Sequence, residues 1–339
     1  MNVLLTRPRK KIFQALLCSG VIVLSLSWWP CQALAWGKRG HSIVCQTASY
    51  LDAKLPRGQF FKSHSYDLGY YCNVPDLIWK RPETYQQESF NHFMDMEIFN
   101  REIKADELPG AFALDRLAFN AKYPKVSDKA GRSFWRIREL LDSAQAIGEK
   151  LKAKDLSSDD RYKMQADWLV HIGAAGHYLG DLCQPLHVTE NYDGQMNDQK
   201  GVHRWFEDDA VDELFHSDNS PGLESEVMAA AEKKWKTLKP GWEKRPVLEI
   251  LEELARSSNI SIKELMAIDK KQGRKDIKRA SAAFQKMIID RMAAGAVATA
   301  ELWGRNLTFD FDDNKFYNVV SDPAWIAFPI PPTPQPTSL

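Results

Sequence analysis

The stretch from Arg161 to Leu182 constrains the fold most strongly, because it is apolar on most sides of a helix. A helix with apolar residues all round is stable only when neighbouring elements cover it. Pro185 follows closely and predicts the end of this helix, since proline interrupts helical hydrogen bonding. We therefore expect a central helix surrounded by other elements of the same domain.

Other segments repeat apolar side chains at three- and four-residue steps, whereas alternating strand patterns are scarce. They are Gly40 to Ala53, Lys129 to Lys152, His203 to Phe215, Leu223 to Thr237, Val247 to Ser257 and Ser281 to Trp303. Residues 190–202 are expected to form a surface loop, and residues 270–279 a solvated charged segment. The sequence predicts an all-α fold, a single mainly helical domain over 36–306. A C-terminal extension over 307–339 would follow, with a disordered proline-rich tail from Phe328.

The first 35 residues have the pattern of a signal peptide. Four basic residues precede an apolar run from Ile12 to Trp29, and a small-residue cleavage site follows at Ala33 to Ala35. A single membrane anchor is the alternative, but the serines and glycine within the run favour cleavage after Ala35. The processed chain would then begin at Trp36 and reside in the periplasm or outside the cell, without a stable membrane anchor.

The charge balance argues against binding to nucleic acid through bulk electrostatics. The formal net charge is zero, and loss of the four basic residues of the leader would make it minus four. Proteins that bind polyanions through overall charge are usually basic. Any phosphate recognition must therefore come from a local site. No sequence pattern points to an oligomer, and a monomer is expected.

Three cysteines remain in the processed chain, namely Cys45, Cys72 and Cys183. An oxidising compartment permits one disulfide among them. We expect Cys45 to pair with Cys72, because Cys183 lies inside a histidine-containing motif, and we expect Cys183 to be a buried thiol.

Two pairs of possible metal ligands share a spacing of four residues: His177 with Asp181, and His203 with Glu207. On a helix such residues lie on one face, and zinc accepts both imidazole nitrogen and carboxylate oxygen. Either pair alone is explained more simply, as a core histidine or a solvated ion pair. Together with His187, held at a proline turn, the set favours a zinc site.

Cleavage after Ala35 would create a further ligand. The free α-amino group and the carbonyl of Trp36 can chelate a metal together, and His41 follows five residues later. The alternative is that a tryptophan after a cleavage site is incidental.

These motifs resemble the trinuclear-zinc nucleases of fungi, plants and bacteria, the S-one/P-one type, which share a fold and metal site with zinc-dependent phospholipase C. The matching motifs are WGKRGH from Trp36 to His41, the aspartate of NVPDLIW at Asp76, the histidine of FNHFMD at His92, HYLGDLCQPLH from His177 to His187, and the pair His203 and Glu207. The resemblance extends from Trp36 to about Asn306.

The resemblance implies three bound zinc ions. The implied ligand sets are Asp76, His92, His177 and Asp181 for one ion, His187, His203 and Glu207 for a second, and Trp36, His41 and the bridging Asp181 for the third. It also implies hydrolysis of single-stranded DNA or RNA and 3′-nucleotides by a zinc-activated water, with Asp76 and Asp181 as catalytic residues. His64, His171 and His216 match no motif and are expected to be structural or surface residues.

The chain departs from the nuclease pattern where phosphate would be held. The nucleases place an arginine three residues after the first aspartate, and this chain has Trp79 there; Lys80 or Arg81 is the expected substitute. Trp79 and Tyr70 are candidates for a wall that stacks bases.

The pair His203 and Glu207 matches the phospholipase C pattern more closely than the nuclease pattern. A phospholipase C would have an apolar rim near the zinc ions, and Trp79, Phe93 and Phe206 are candidates for it. A non-catalytic zinc-binding protein is the third possibility.

Overall fold

The fold is built almost entirely from helices. The computed structural model describes residues 36–51, 56–217, 221–238, 240–313, 316 and 319–329. The α-helices are α1 Gly37–Leu51, α2 Pro56–Ser63, α3 Ser65–Tyr71, α4 Tyr85–Glu88, α5 Met96–Glu102, α6 Leu108–Ala113, α7 Arg116–Lys122, α8 Ser133–Leu151, α9 Ser158–Cys183, α10 Val202–Arg204, α11 Ala210–His216, α12 Leu223–Trp235, α13 Val247–Gln272 and α14 Ile277–Asn306. The described residues contain no strand beyond one isolated bridge between Met94 and Gly131. The predicted all-α fold is confirmed.

Helix α9 lies at the centre, as its sequence predicted. Ser157 caps its N-terminus by accepting a hydrogen bond from the Asp160 amide, and every residue from Trp168 to Cys183 is buried. The helix packs against α1, α3, α8, α13 and α14. Close approach is possible at Gly176, where a Cβ atom would lie 2.8 Å from both Cys45 Sγ and a ring carbon of Trp303.

The Cys45–Cys72 disulfide joins α1 to the end of α3, as predicted, and Cys183 is a buried free thiol. Both bonded sulfurs lie beside Gly176 on α9. The disulfide therefore holds α1 and α3 against the central helix, close to the histidines of α9.

Two short π-helical turns interrupt the α-helical pattern, at Pro75–Trp79 and Trp205–Asp209. The second divides the predicted helix His203 to Phe215 into α10 and α11. A π turn adds one residue to the helical repeat and often occurs at functional sites. Each of these turns carries one of the predicted carboxylate ligands, Asp76 or Glu207.

Helix α13 extends to Gln272, beyond the end predicted at Ser257. The polar run Ser257 to Ser261 looks like a helix end in the sequence. The Ser258 hydroxyl instead donates to the Leu254 carbonyl, and the Ser261 hydroxyl donates to the Ser257 carbonyl. The polar side chains thus bond within their own helix, and α13 ends at Gly273, where φ is 61°.

The described residues after Asn306 pack against the helices. Phe309 lies edge-on to Trp168, with ring centroids 5.1 Å apart, and the Phe328 ring lies 4.0 Å from the Arg116 guanidinium. Phe328 therefore does not belong to a disordered tail, and the rest of the predicted tail lies outside the described residues.

The predicted signal peptide, residues 1–35, also lies outside the described residues. In the part of the chain that is described, no helix combines the length and apolarity needed to cross a bilayer.

Candidate metal centre

Five predicted ligand side chains meet beside α9, although they come from four separate segments. They are His41 of α1, Asp76 of the first π turn, His92 of a 3₁₀ turn, and His177 and Asp181 of α9. His92 Nδ1 lies 3.0 Å from Asp181 Oδ2 and 3.0 Å from His177 Nε2. His41 Nε2 lies 3.5 Å from Asp181 Oδ1. Asp76 is half-buried with 5% of its side chain exposed, and the other four residues are buried.

The remaining three predicted side-chain ligands form a second group. His203 Nε2 lies 2.9 Å from Glu207 Oε2, and His187 Nε2 lies 3.7 Å from the same oxygen. His187 Nδ1 is 3.8 Å from Asp181 Oδ1, so the two groups adjoin. The predicted loop over 190–202 supports this group, because Asp193 Oδ1 accepts a hydrogen bond from the His203 amide.

Backbone carbonyls fix the orientation of two imidazoles. His177 Nδ1 lies 2.7 Å from the Cys72 carbonyl oxygen, and His187 Nδ1 lies 2.6 Å from the His92 carbonyl oxygen. Each Nδ1–H donates to its carbonyl, which leaves the Nε2 lone pair directed into the centre. This is the tautomer in which a neutral imidazole binds a metal through Nε2.

Gly180 allows His41 to approach α9. A Cβ atom at this position would lie 2.8 Å from His41 Nδ1 and 4.0 Å from a ring carbon of Trp36. Trp36 is fully buried, and its indole N–H donates to Cys183 Sγ at 3.2 Å. Trp36 and His41 thus sit against the same turn of the central helix, and a metal-ligand role for the Trp36 amine and carbonyl stays a prediction.

Several polar atoms of the centre are buried without a hydrogen-bond partner. They are both ring nitrogens of His41, Nδ1 of His203, Nε2 of His187, and one oxygen each of Asp181 and Glu207. A buried polar group without a partner is costly. Divalent zinc takes such nitrogen and oxygen donors as ligands, so the residues present fit a zinc centre.

The protonation states of Asp76, His177 and His203 suit metal binding, which requires ionised carboxylates and neutral imidazoles. Burial would raise the pKa of Asp76, but Lys80 and His177 lower it well below its usual range. Burial lowers the pKa of His177 to about 3 and that of His203 to about 4. Both imidazoles are therefore neutral at pH 7.

Glu207 is the predicted carboxylate ligand whose negative charge the surrounding side chains stabilise least. Burial raises the pKa of this carboxyl to about 8. Its described polar neighbours are the neutral donor Gln184 and the imidazoles of His187 and His203. A divalent ion would keep the carboxylate ionised at this depth.

Lys80 and Arg81 were alternative phosphate contacts, and the structure separates them. Lys80 turns inward, and its Nζ lies 2.6 Å from Asp76 Oδ1 with 6% of the side chain exposed. Arg81 points away and pairs with Asp322. Lys80 is therefore the positively charged side chain that lies next to the candidate metal ligands.

Trp79 does not form an open wall for bases. Its side chain is 1% exposed, and its indole N–H donates to the Pro323 carbonyl at 3.0 Å. Tyr70 is half-buried and donates to the Ser321 carbonyl. The C-terminal extension covers Trp79, so the prediction that Trp79 stacks bases is wrong, whereas a stacking role for Tyr70 stays a prediction.

The predicted apolar rim is likewise largely buried. Phe206 is fully buried and lies 5.4 Å from the Trp36 ring, and Phe93 is half-buried. The exposed aromatic beside the centre is Tyr192, with 53% of its surface exposed and its ring 6.3 Å from that of His203.

The spare histidines belong to neither of these two groups of the described residues, as predicted. His64 bonds Asp67 and Asp313, and His171 Nδ1 bonds the Asp167 carbonyl.

Glu88 is the buried residue that the sequence reasoning missed. Its Oε1 lies 3.4 Å from His92 Nε2. Burial would raise its pKa, but Arg136 and His92 lower it to about 2, so the group is ionised. The spacing of four residues between Glu88 and His92 matches that of the two pairs singled out in the sequence and could have revealed it.

Comparisons with known proteins give distant similarities. No family model matches the chain. Endonuclease 3 of Arabidopsis thaliana is 23% identical over 228 residues, which cover 62% of this chain and 67% of that protein. The crystal structure of the alpha-toxin of Clostridium perfringens aligns with a TM-score of 0.41 at 13% identity, covering 83% of this chain and 67% of that chain. The side chains of the metal centre therefore carry the functional proposal.

Proposed function

We propose that this chain is an exported zinc-dependent phosphodiesterase that hydrolyses single-stranded nucleic acids and 3′-nucleotides. One observation carries the proposal: three groups of possible ligands, His41–His177–Asp181, Asp76–His92–His177 and His187–His203–Glu207, are buried side by side. The Cys45–Cys72 disulfide supports export, since disulfides persist in oxidising compartments.

When bound, zinc supplies a Lewis acid for phosphoryl oxygens and lowers the pKa of water toward neutrality. The chain's own residues would hold the ions and fix the orientation of the ligands. Asp181 faces His41, His92 and His177 and would be shared between two ions. The Cys72 carbonyl keeps the His177 ring turned toward the centre.

Lys80 is the side chain that we assign to phosphate binding. Its ammonium group is buried against Asp76, one of the predicted zinc ligands. In a site with little water, the attraction between a positive charge and the phosphoryl oxygens strengthens as negative charge develops on those oxygens. Lys80 would thus take the place of the arginine that the nuclease pattern has one residue earlier.

Nucleic acid is favoured over lipid by the surroundings of the centre. Tyr192 offers an exposed ring beside His203, and single-strand binders stack bases on such rings. Two of the three residues expected to form a lipid-binding rim, Trp79 and Phe206, are buried. The similarity to Endonuclease 3 points the same way.

Phospholipase C activity is the second candidate. Glu207 is the phospholipase residue in the last ligand pair, and Leu77, next to Asp76, is 54% exposed. A small apolar surface beside the centre would suit an acyl chain.

A substrate panel tests the proposal. The chain beginning at Trp36 is incubated with zinc and single-stranded DNA, RNA, 3′-AMP or phosphatidylcholine vesicles, with a chelator as control. We expect hydrolysis of the nucleic acids and of 3′-AMP, abolished by the chelator. Hydrolysis of the lipid alone would replace the proposal by phospholipase C, and no turnover of any substrate would favour a non-catalytic zinc protein.

A further inference from the structure

The described residues 319–329, which we call the C-terminal strap, lie beside the metal centre. Two hydrogen bonds attach the strap to helices near the centre. The Val320 amide donates to the Tyr71 hydroxyl at 2.8 Å, and Trp79 donates to the Pro323 carbonyl at 3.0 Å. Trp79 ends the π turn that carries Asp76. The strap thus lies directly over a segment of the centre.

One strap residue reaches a fully buried carboxylate. The Trp325 indole N–H donates to Glu88 Oε2 at 2.7 Å. The same oxygen accepts from Asn91 Nδ2 at 3.2 Å and Arg136 Nη2 at 3.3 Å, and Oε1 accepts from the Tyr178 hydroxyl. Trp325 therefore completes the set of donors that fixes the orientation of Glu88.

The Glu88 carboxylate faces the side of the His92 ring that points away from the metal centre. His92 Nδ1 points into the centre, 3.0 Å from Asp181 Oδ2, whereas His92 Nε2 lies 3.4 Å from Glu88 Oε1. A carboxylate on the outer nitrogen of a ligating histidine favours the proton on that nitrogen. It also makes the inner nitrogen a better metal ligand.

A second strap residue acts on the same network. The Phe328 ring lies 6.0 Å from the Arg136 guanidinium and 4.0 Å from that of Arg116. Arg136 is the ionic partner of Glu88. The strap thus contacts Glu88 both directly and through its counter-charge, which packing alone would not require.

We propose that Glu88 and Trp325 are positioning residues of the metal centre. Trp325 of the strap fixes the orientation of the Glu88 carboxylate, and Glu88 in turn orients the His92 ring toward the metal. The proposal rests on the metal centre of the proposed function, but it does not depend on the substrate. Its consequence is that zinc affinity depends on a segment that supplies no ligand.

Zinc binding to the purified chain tests the link, with a chromophoric chelator as competitor and without any activity assay. Trp325→Phe keeps an aromatic ring and removes the N–H, and Glu88→Gln removes the carboxylate charge without touching the strap. We expect one zinc site to weaken by about 10-fold in the first variant and by about 10- to 100-fold in the second, the range found for outer partners of metal-bound histidines. Asp322→Ala is the control, because it removes a strap contact to the exposed Arg81 and leaves Glu88 untouched.

The melting temperature of the metal-free protein separates positioning from packing. A purely structural role would lower it in Trp325→Phe and leave zinc affinity at the wild-type value, and this result overturns the inference. Glu88→Gln decides if Trp325→Phe does not fold, and wild-type affinity in Glu88→Gln also overturns it. A wild-type chain that binds no zinc would overturn both the inference and the proposed function. Normal zinc affinities in both variants would overturn the inference alone.

Discussion

Asp181 Oδ1 lies 3.5 Å from His41 Nε2, so α1 and α9 meet at a polar contact between two fully buried side chains. The other carboxylate oxygen of Asp181 faces His92 and His177, at 3.0 Å and 3.5 Å. Asp181 lies closer to these three histidines than Asp76 does, whose oxygens are 3.6 to 4.0 Å from them. This position is what a carboxylate shared by two ions requires.

Asp181→Asn is therefore expected to be more damaging than Glu207→Gln. Both changes keep the shape of the side chain, but Asp181 would serve two ions and Glu207 one. Loss of a ligand should cost at least the roughly 100-fold known for outer partners. We expect Asp181→Asn to lose two zinc equivalents and Glu207→Gln one, measured by mass spectrometry together with turnover. Equal zinc content and equal turnover in the two variants would argue against the shared position.

Lys80→Met should lower kcat/KM on 3′-AMP by about 100-fold, the cost of removing one charge-stabilising donor. Lys80→Arg should recover part of that loss, because it keeps the positive charge. Arg81→Ala is the matched control, since Arg81 lies beside Lys80 in sequence but pairs with Asp322 at the surface. An Arg81→Ala variant that is as slow as Lys80→Met would reassign the phosphate contact.

Tyr192→Ala should weaken binding of single-stranded DNA, because stacking on an aromatic side chain is worth about 1–3 kcal/mol per base. We expect KM to rise about tenfold with little change in kcat, and Tyr192→Phe to behave as wild type. Tyr66→Ala is the control, as Tyr66 is 78% exposed and lies on α3, which carries none of the predicted ligands. Equal KM values for the two alanine variants would remove Tyr192 from the substrate surface.

His64 should make stability depend on pH. Burial lowers its pKa, but the hydrogen bonds from its two nitrogens to Asp67 and Asp313 outweigh this and raise the pKa above the ordinary 6.5. A raised pKa in the folded state means that the protonated form is stabilised by folding. This contribution is complete below pH 6.5 and is lost as the pH rises through the folded-state value.

The variant His64→Gln, which does not titrate, isolates this effect. The melting temperature of the wild type should exceed that of His64→Gln most below pH 6.5, and the difference should shrink at higher pH. A difference that is constant or grows with pH would show that the imidazole is not charged in the folded protein.

The sequence was most informative where chemistry and local geometry coincide. His177 with Asp181, and His203 with Glu207, could be paired from their spacing, because a helix sets that distance by itself. The positions of Asp76 and His92 required a resemblance, since no local rule brings a π turn and a 3₁₀ turn to the side of α9. The central helix was predictable because its apolar surface admits no other environment.

Long-range contacts account for what the sequence could not show. The sequence suggests an exposed ring at Trp79, but Pro323, far along the chain, contacts and covers it. The hydrogen bond between Trp325 and Glu88 could not be predicted for the same reason, because the two residues are far apart in the sequence. Helix α13 was predicted too short for a local reason, because its serines bond to their own helix rather than ending it.

The zinc content of the chain that begins at Trp36 tests the central claim most directly. We predict three zinc ions per chain by mass spectrometry after removal of free metal, and two when one extra residue precedes Trp36, because the α-amine is then displaced from its ion. A properly folded chain that retains no zinc would contradict the account.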